Sequence, residues 1–224
     1  MRYASLMPPD LPRPKYTVLD ASLYDYLLGH RSPDDAVVEE LREETARLGG
    51  SAVMQIAPDQ ATLLRILVGA LGARGAVEVG TFTGLSALAV ARGLRPDGRL
   101  FCFDVSEEWT DIGRRCWEKA GVADRIELRI GPAAPALRAL PEEPWLDFAF
   151  IDADKQGYPV YWDEIVRRLR PGGLVAVDNV LWEGEVVQAD KTGADVQAIR
   201  AFNEKVLADE RVESVMLAVA DGLT

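Results

Sequence analysis

The sequence predicts an α/β protein: a Rossmann-like, doubly wound, mostly parallel sheet with helices on both faces and an N-terminal helical layer. Three observations carry the prediction. Short apolar runs of strand length alternate with helical stretches of about 10–15 residues, the pattern of repeated strand–helix–strand units. Two of the runs, in WLDFAFIDADKQGY and PGGLVAVDNVLW, are apolar nearly to their ends and read as buried neighbours. A third, AVEVG, passes into a glycine-containing turn and then a helix, the order found where a sheet meets a bound cofactor.

Residues 1–15, MRYASLMPPDLPRPK, are proline-rich and polar and are expected to form an arm. A helical layer over 16–57 follows. TVLDASLYDYLLGHR has apolar residues at helical spacing. SPDDAVVEELREETARL opens with Ser32 as an N-cap, Pro33 at the first helical position and acids in the first turn. GGSAVMQI connects to PDQATLLRILVGALGA, a helix entered at Pro58. Units then alternate: AVEVG and a helix from Gly84 to Leu94; RLFCFD and EEWTDIGRRCWEKAG; RIELRI and PAAPALRAL; LDFAFID and YPVYWDEIVRRL; GLVAVD and DVQAIRAFNEKVLAD; and a sixth strand, RVESVMLAV. No repeat, low-complexity tract or domain boundary interrupts them, so 1–224 reads as one domain. Right-handed crossovers would distribute the helices over both faces.

Composition excludes several function classes. Twenty-five Lys and Arg against 36 Asp and Glu leave a net charge of −11, which argues against binding nucleic acid through its phosphates. No apolar run approaches the roughly 18 residues of a membrane span, and the first residues lack the apolar centre of a signal peptide. A cytoplasmic protein without membrane contact is expected. Cys102 and Cys116 have neither metal nor redox spacing and read as reduced thiols. His30 is the single histidine and reads as a surface residue at a helix end. One histidine argues against a Ser-His-Asp triad or a polyhistidine zinc site, so a base must be of another type. Trp109, Trp117, Trp145 and Trp162 read as packing.

Chemistry-bearing residues gather at strand ends, where α/β sheets bind ligands. LDFAFID ends at Asp152; GLVAVD ends at Asp178, followed by Asn179. Two carboxylates and an amide oxygen at neighbouring tips form a hard oxygen set suited to a divalent cation such as Mg²⁺. VEVGTFTG places Glu78, Gly80 and Gly84 before a helix N-terminus, with GxxxG spacing rather than the dinucleotide GxGxxG. Asp104, at the end of RLFCFD, is placed to meet a ribose diol, and Ala133, after GP, to leave room for an adenine edge. These features suit a nicotinamide cofactor or S-adenosylmethionine (SAM). A NAD-dependent oxidoreductase and a non-catalytic SAM-binding protein therefore stand as readings beside a methyltransferase.

In order and spacing, SAVMQIAPDQATLL, VEVGTFTGLSALAVA, FDVSEEWTDIGRRCWEKAG, RIGPA, DFAFIDADKQGY, GGLVAVDNVLWEGEV and IRAFNEKVLADERVESVMLAVADGLT resemble the cation-dependent O-methyltransferases of the caffeoyl-CoA and catechol O-methyltransferase group. The resemblance covers nearly everything after residue 17. It implies a SAM- and divalent-metal-dependent enzyme (Mg²⁺, or Mn²⁺ or Ca²⁺) that methylates a small catechol-like phenol, and a homodimer. It implies that Met54, Glu78, Gly80, Ser86, Asp104, Ala133 and Asp152 meet SAM, and that Asp152, Asp178 and Asn179 hold the metal. Lys155 matches the base and Trp182 a residue beside the acceptor ring. The N-terminal layer, the loop 182–194 and Phe202 are expected to recognise the acceptor, and the absence of a basic patch in that loop favours a free phenol over a CoA thioester. Members of the group run past DGLT into a last antiparallel strand, so either further residues follow Thr224 or the sheet edge is rearranged there.

Overall fold

Side-chain alternation with period two decides how the sheet is buried. The strands are β1 (Gly75–Val79), β2 (Arg99–Asp104), β3 (Ile126–Ile130), β4 (Leu146–Ile151) and β5 (Leu169–Val177). Ala76, Leu100, Cys102, Phe148 and Phe150 enter one core; Val77, Val79, Phe103, Ala149 and Ile151 enter the other. Every pairing is parallel, in the order β3-β2-β1-β4-β5. β1 and β4 are buried along their whole length, as central strands covered on both faces are. The protein is seen here as a computed structural model that describes residues 17–224, so the arm expected at 1–15 lies outside the described residues.

Eight α-helices surround this sheet among the described residues. α1 (Ala21–Gly29) buries none of its residues. α2 (Ala36–Ala46), α3 (Pro58–Leu71), α4 (Leu85–Gly93) and α5 (Glu107–Lys119) supply Leu41, Leu64, Val68, Leu88 and Trp117 to the first core. α6 (Ala133–Arg138), α7 (Tyr158–Val166) and α8 (Ala194–Leu207) supply Leu137, Trp162, Ile165 and Phe202 to the second. Burial of each such side chain contributes about 1.5–3 kcal/mol.

Several local expectations hold. Pro58 opens α3. His30 caps the end of α1, with Nδ1 2.6 Å from the Tyr26 carbonyl and its ring stacked on Tyr26. The start of α2 differs. Ser32 is not its cap: the helix begins at Ala36, and the Asp35 carboxylate accepts the Val38 N–H at 3.1 Å. Asp34 is drawn away by Arg31, at 2.7 and 2.8 Å, and by Arg42, at 3.0 Å, which leaves Asp35 to cap.

The sixth strand does not form. Val215, Met216 and Leu217 are 64%, 43% and 44% exposed, and the segment makes one isolated bridge, from Leu217 to Leu223. Its alternating apolar residues suit a strand, but a strand exists only beside a backbone that completes its ladder. Here the place beside the end of β5 is taken by the last residues. Thr224 exchanges both backbone hydrogen bonds with Val177, at 2.8 and 3.0 Å, and Leu223 bridges Asp178 in antiparallel sense.

The corrected helix start is directly testable. Asp35→Ala is expected to cost about 1 kcal/mol in urea unfolding, whereas Ser32→Ala stays within about 0.5 kcal/mol. Equal effects would return the cap to Ser32.

Candidate active site

The sheet order reverses between β1 and β4: the chain leaves β1 toward β2 and β3, then returns to lay β4 and β5 on the other side. Loops diverge there and open a crevice at the carboxyl ends of the strands. A cavity of about 1270 Å³ occupies it. That exceeds the roughly 300–1,000 Å³ of an ordinary small-molecule site, so there is room for two ligands.

One half of the cavity is built by the turn after β1. Gly80 has φ +86°, and a Cβ there would run into the Asp152 carbonyl oxygen. Gly84 has φ +81°, and a Cβ there would meet the Trp117 ring, whose Nε1–H donates to the Gly84 carbonyl at 3.0 Å. Both glycines therefore let parts of the protein approach one another; neither is explained by a ligand alone. The Asp104 carboxylate accepts the N–H groups of Thr81, Phe82 and Ser106, each at 2.8 Å, and so ties the turn to the end of β2. It still lines the cavity, with lone pairs to spare. Ser86 on the first turn of α4, Ala133 at the start of α6 and Met54 at the end of a short 3₁₀ turn line the same space. Phe82 and Trp109 meet edge to face at 5.2 Å on the wall, so Trp109 is not only packing; Trp117 and Trp162 are buried as expected.

Glu78 stands apart from this group. It is fully buried and does not line the cavity. Among the described residues neither carboxylate oxygen completes a hydrogen bond. Desolvation is the main reason its pKa is raised to about 8; Ser86 and Thr81 nearby act in the opposite sense, and Asp152 and Asp104 add to the rise.

The other half gathers the acids. Asp152 follows β4, Asp178 follows β5, and Asn179 turns sharply after it with φ +58°, a left-handed backbone that Asn tolerates. All three line the cavity together with Lys155. Lys155 is buried, and its Nζ donates to Asp152 Oδ1 at 3.2 Å, Asn179 Oδ1 at 2.7 Å and the Tyr158 hydroxyl at 2.6 Å. Tyr158 in turn donates to the Asp178 carbonyl at 3.1 Å. Burial pushes the Asp152 carboxyl above its ordinary range despite Lys155. Burial, then the charge of Asp152, pushes Asp178 up to about 7. Among the described residues no group of three His, Cys, Asp or Glu side chains is set to hold a metal; this set has two carboxylates, and its third oxygen is an amide.

The structure thus brings together the residues expected to meet the donor, the metal and the acceptor ring, with Glu78 beneath them as the exception. Trp182 lines the cavity, its ring 5.7 Å from Lys155 Nζ. Phe202, expected near the acceptor, is instead fully buried against Tyr158 and Trp162, because its face of α8 packs on α7. Sequence reasoning missed Tyr158 and Gln60. For Tyr158 a signal existed: it lies three residues after Lys155, one helical turn away. The described non-glycine residues with positive φ are Phe82, Asn179, Trp182, Glu183 and Ala220, and all of them line the cavity. Strain of about 1–3 kcal/mol at each collects where a site is over-determined by its surroundings.

A reversed parallel sheet, a glycine turn tied to an acid at the end of β2, and a two-ligand crevice define a Rossmann-like methyltransferase fold. The comparisons agree. An O-methyltransferase from Bacillus cereus, solved in complex with SAH, superposes with a TM-score of 0.81 at 36% identity, over 90% of this chain and 94% of that one. Caffeoyl-CoA O-methyltransferase 2 of Zea mays is 37% identical over 92% of this chain and 79% of its own length. Catechol O-methyltransferase domain-containing protein 1 of Mus musculus is 36% identical over 100% and 82%. A family model described as O-methyltransferase matches residues 29–224, and the chain belongs to that family. It is a SAM-dependent O-methyltransferase, and the nicotinamide reading falls away.

The buried Glu78 gives a pH test. Its folded pKa, about 8, lies above the ordinary value of 4.5, so the folded state holds a proton that the unfolded state has lost between those values. Stability from this group is therefore present at low pH and lost as pH rises toward and past 8. In ligand-free protein, Glu78→Gln is expected to match the wild type near pH 5 and exceed it by at least about 1 kcal/mol at pH 9, each pKa unit carrying about 1.4 kcal/mol. Parallel denaturation curves at the two pH values would contradict this burial effect.

Proposed function

We propose that this enzyme is divalent-cation-dependent and methylates one hydroxyl of a small catechol-like phenol. The observation that carries the reading is the convergence of Asp152, Asp178, Asn179 and Lys155 in the cavity that also takes in the donor-type turn. Two buried carboxylates with raised pKa values and one lysine leave negative charge undercompensated, and their oxygens are the hard donors that Mg²⁺ or Mn²⁺ takes. Asp152, Asp178 and Asn179 are the residues that would hold the ion. When bound, it supplies charge that favours the phenolate of an acceptor whose hydroxyl otherwise ionises near pH 10.

The remaining steps belong to this chain's own residues. Asp104, Ser86, Ala133 and Met54 seat the donor. In its neutral amine form Lys155 is the base available to the acceptor hydroxyl, whose proton it takes to become the ammonium, and Tyr158 holds it in place. The phenol oxygen then forms its bond to the methyl carbon as the carbon–sulfur bond breaks, leaving SAH. Holding both reactants in line accounts for much of the rate, up to about 7–11 kcal/mol for well-oriented pairs. Trp182 walls the acceptor side.

Charge at the cavity narrows the acceptor. Asp20, Glu183, Glu185 and Asp221 line it, and Lys155 is the one basic side chain among its described lining residues. The phosphates of a CoA thioester would meet carboxylates there, so a free phenol is the better match, although several relatives are named for caffeoyl-CoA. A homodimer in the cytoplasm completes the reading. Tyr26 and Leu27 on α1 are 59% and 45% exposed, and two free thiols, Cys102 and Cys116, suit a reducing compartment.

With SAM and Mg²⁺, a panel of ortho-dihydroxy aromatics followed by mass spectrometry is expected to show one added methyl group, abolished by EDTA and by Asp152→Ala. Turnover indifferent to both would overturn the cation role, and preference for a phenolic CoA thioester would overturn the acceptor assignment. Lys155→Met is expected to lower kcat by about 10²–10⁴ while SAH binding persists; unchanged kcat would remove Lys155 as base. Light scattering should give twice the 24.5 kDa chain mass; a monomer would refute the dimer.

A further inference from the structure

Gln60 lies in the first turn of α3, fully buried, and lines the cavity. Neither Oε1 nor Nε2 finds a hydrogen-bond partner among the described residues. A carboxamide offers two donors and an acceptor, and groups buried this deeply are nearly always bonded. The ordinary structural role for a glutamine at this third helical position is to reach back to the N–H of the capping residue, here Ala57. Gln60 does not do so. Gln60 and the buried Asp178 line the same cavity, and Gln60 is among the groups that favour the ionised form of Asp178, yet neither amide atom completes a bond among the described residues.

We propose that Gln60 is a positioning residue of the cation centre, whose Nε2 donates to Asp178 and holds that carboxylate in the orientation that binds the ion. The inference rests on the cation-dependent reading of the site. Chemistry favours an amide at this position. It supplies a donor to Asp178 without adding charge to a centre that already holds two carboxylates, and groups that orient a ligand in this way typically change metal affinity by about 10–100-fold when removed.

The test compares Mn²⁺ binding, read from the EPR signal of the free ion, with SAH affinity by calorimetry and with melting in EDTA. Gln60→Met keeps the length of the side chain and removes both polar atoms. It is expected to weaken Mn²⁺ binding about 10-fold or more, to leave SAH affinity unchanged, and to melt in EDTA no lower than the wild type, because two unsatisfied buried groups are gone. Gln60→Asn keeps the amide but shortens its reach by one methylene; it is expected to weaken Mn²⁺ in the same sense and serves if Gln60→Met does not fold. Undiminished Mn²⁺ binding by either folded variant overturns the proposal. So does a joint loss of Mn²⁺ affinity, SAH affinity and melting temperature, which marks a structural residue. If the unsubstituted protein binds no Mn²⁺, the cation reading itself fails and takes this inference with it, a result visible before any variant is made.

Discussion

The close approach of the β1 and β4 ends at Gly80 and Asp152 is the constraint on which the site depends. Asp152 N–H donates to the Val79 carbonyl at 2.8 Å, and Gly80 N–H donates to Phe103 at 2.9 Å, so three strand ends are laced together where the sheet order reverses. Gly80 fits because it has no Cβ to strike the Asp152 backbone. This contact puts an acid at the end of β4 directly beside the turn that follows β1. Donor space and acid cluster then become two halves of one cavity.

Electrostatics does the rest. Burial raises the pKa values of Glu78, Asp152 and Asp178, and the charge of Asp152 adds to the rise at both Glu78 and Asp178. Lys155 supplies one unit of positive charge, fixed by Tyr158 and bonded to Asp152 and Asn179. A sulfonium donor is itself cationic, and a pocket whose described lining has many carboxylates and one base is matched to it. The backbone strain at Phe82, Asn179, Trp182, Glu183 and Ala220 shows that the cavity wall is held in place by the packing behind it.

Much of this was legible in the chain. Strand–helix alternation is local, and AVEVG, RLFCFD and LDFAFID are apolar enough to name their own strands and ends. Acids placed one residue past two parallel strands must lie at the same edge, so Asp152, Asp178 and Asn179 were readable before any coordinates. Other features resisted for physical reasons. RVESVMLAV has strand periodicity, but pairing depends on a neighbouring backbone that no local pattern encodes. Ser32 and Asp35 are both good caps, and the choice fell to the arginines that capture Asp34. Phe202 is an aromatic on a helix; which face it turns inward is decided by α7.

By itself, then, the chain determined its fold class, its strand ends and the oxygen set at their tips, because hydrophobic period and residue type act over a few neighbouring positions. Tertiary structure alone decided that Glu78 lies beneath the cavity instead of in it, that Tyr158 steadies Lys155, and that Gln60 is buried without a partner among the described residues. Those outcomes depend on which surfaces meet across the sheet. Contacts between residues far apart in the chain arise only when the whole core closes.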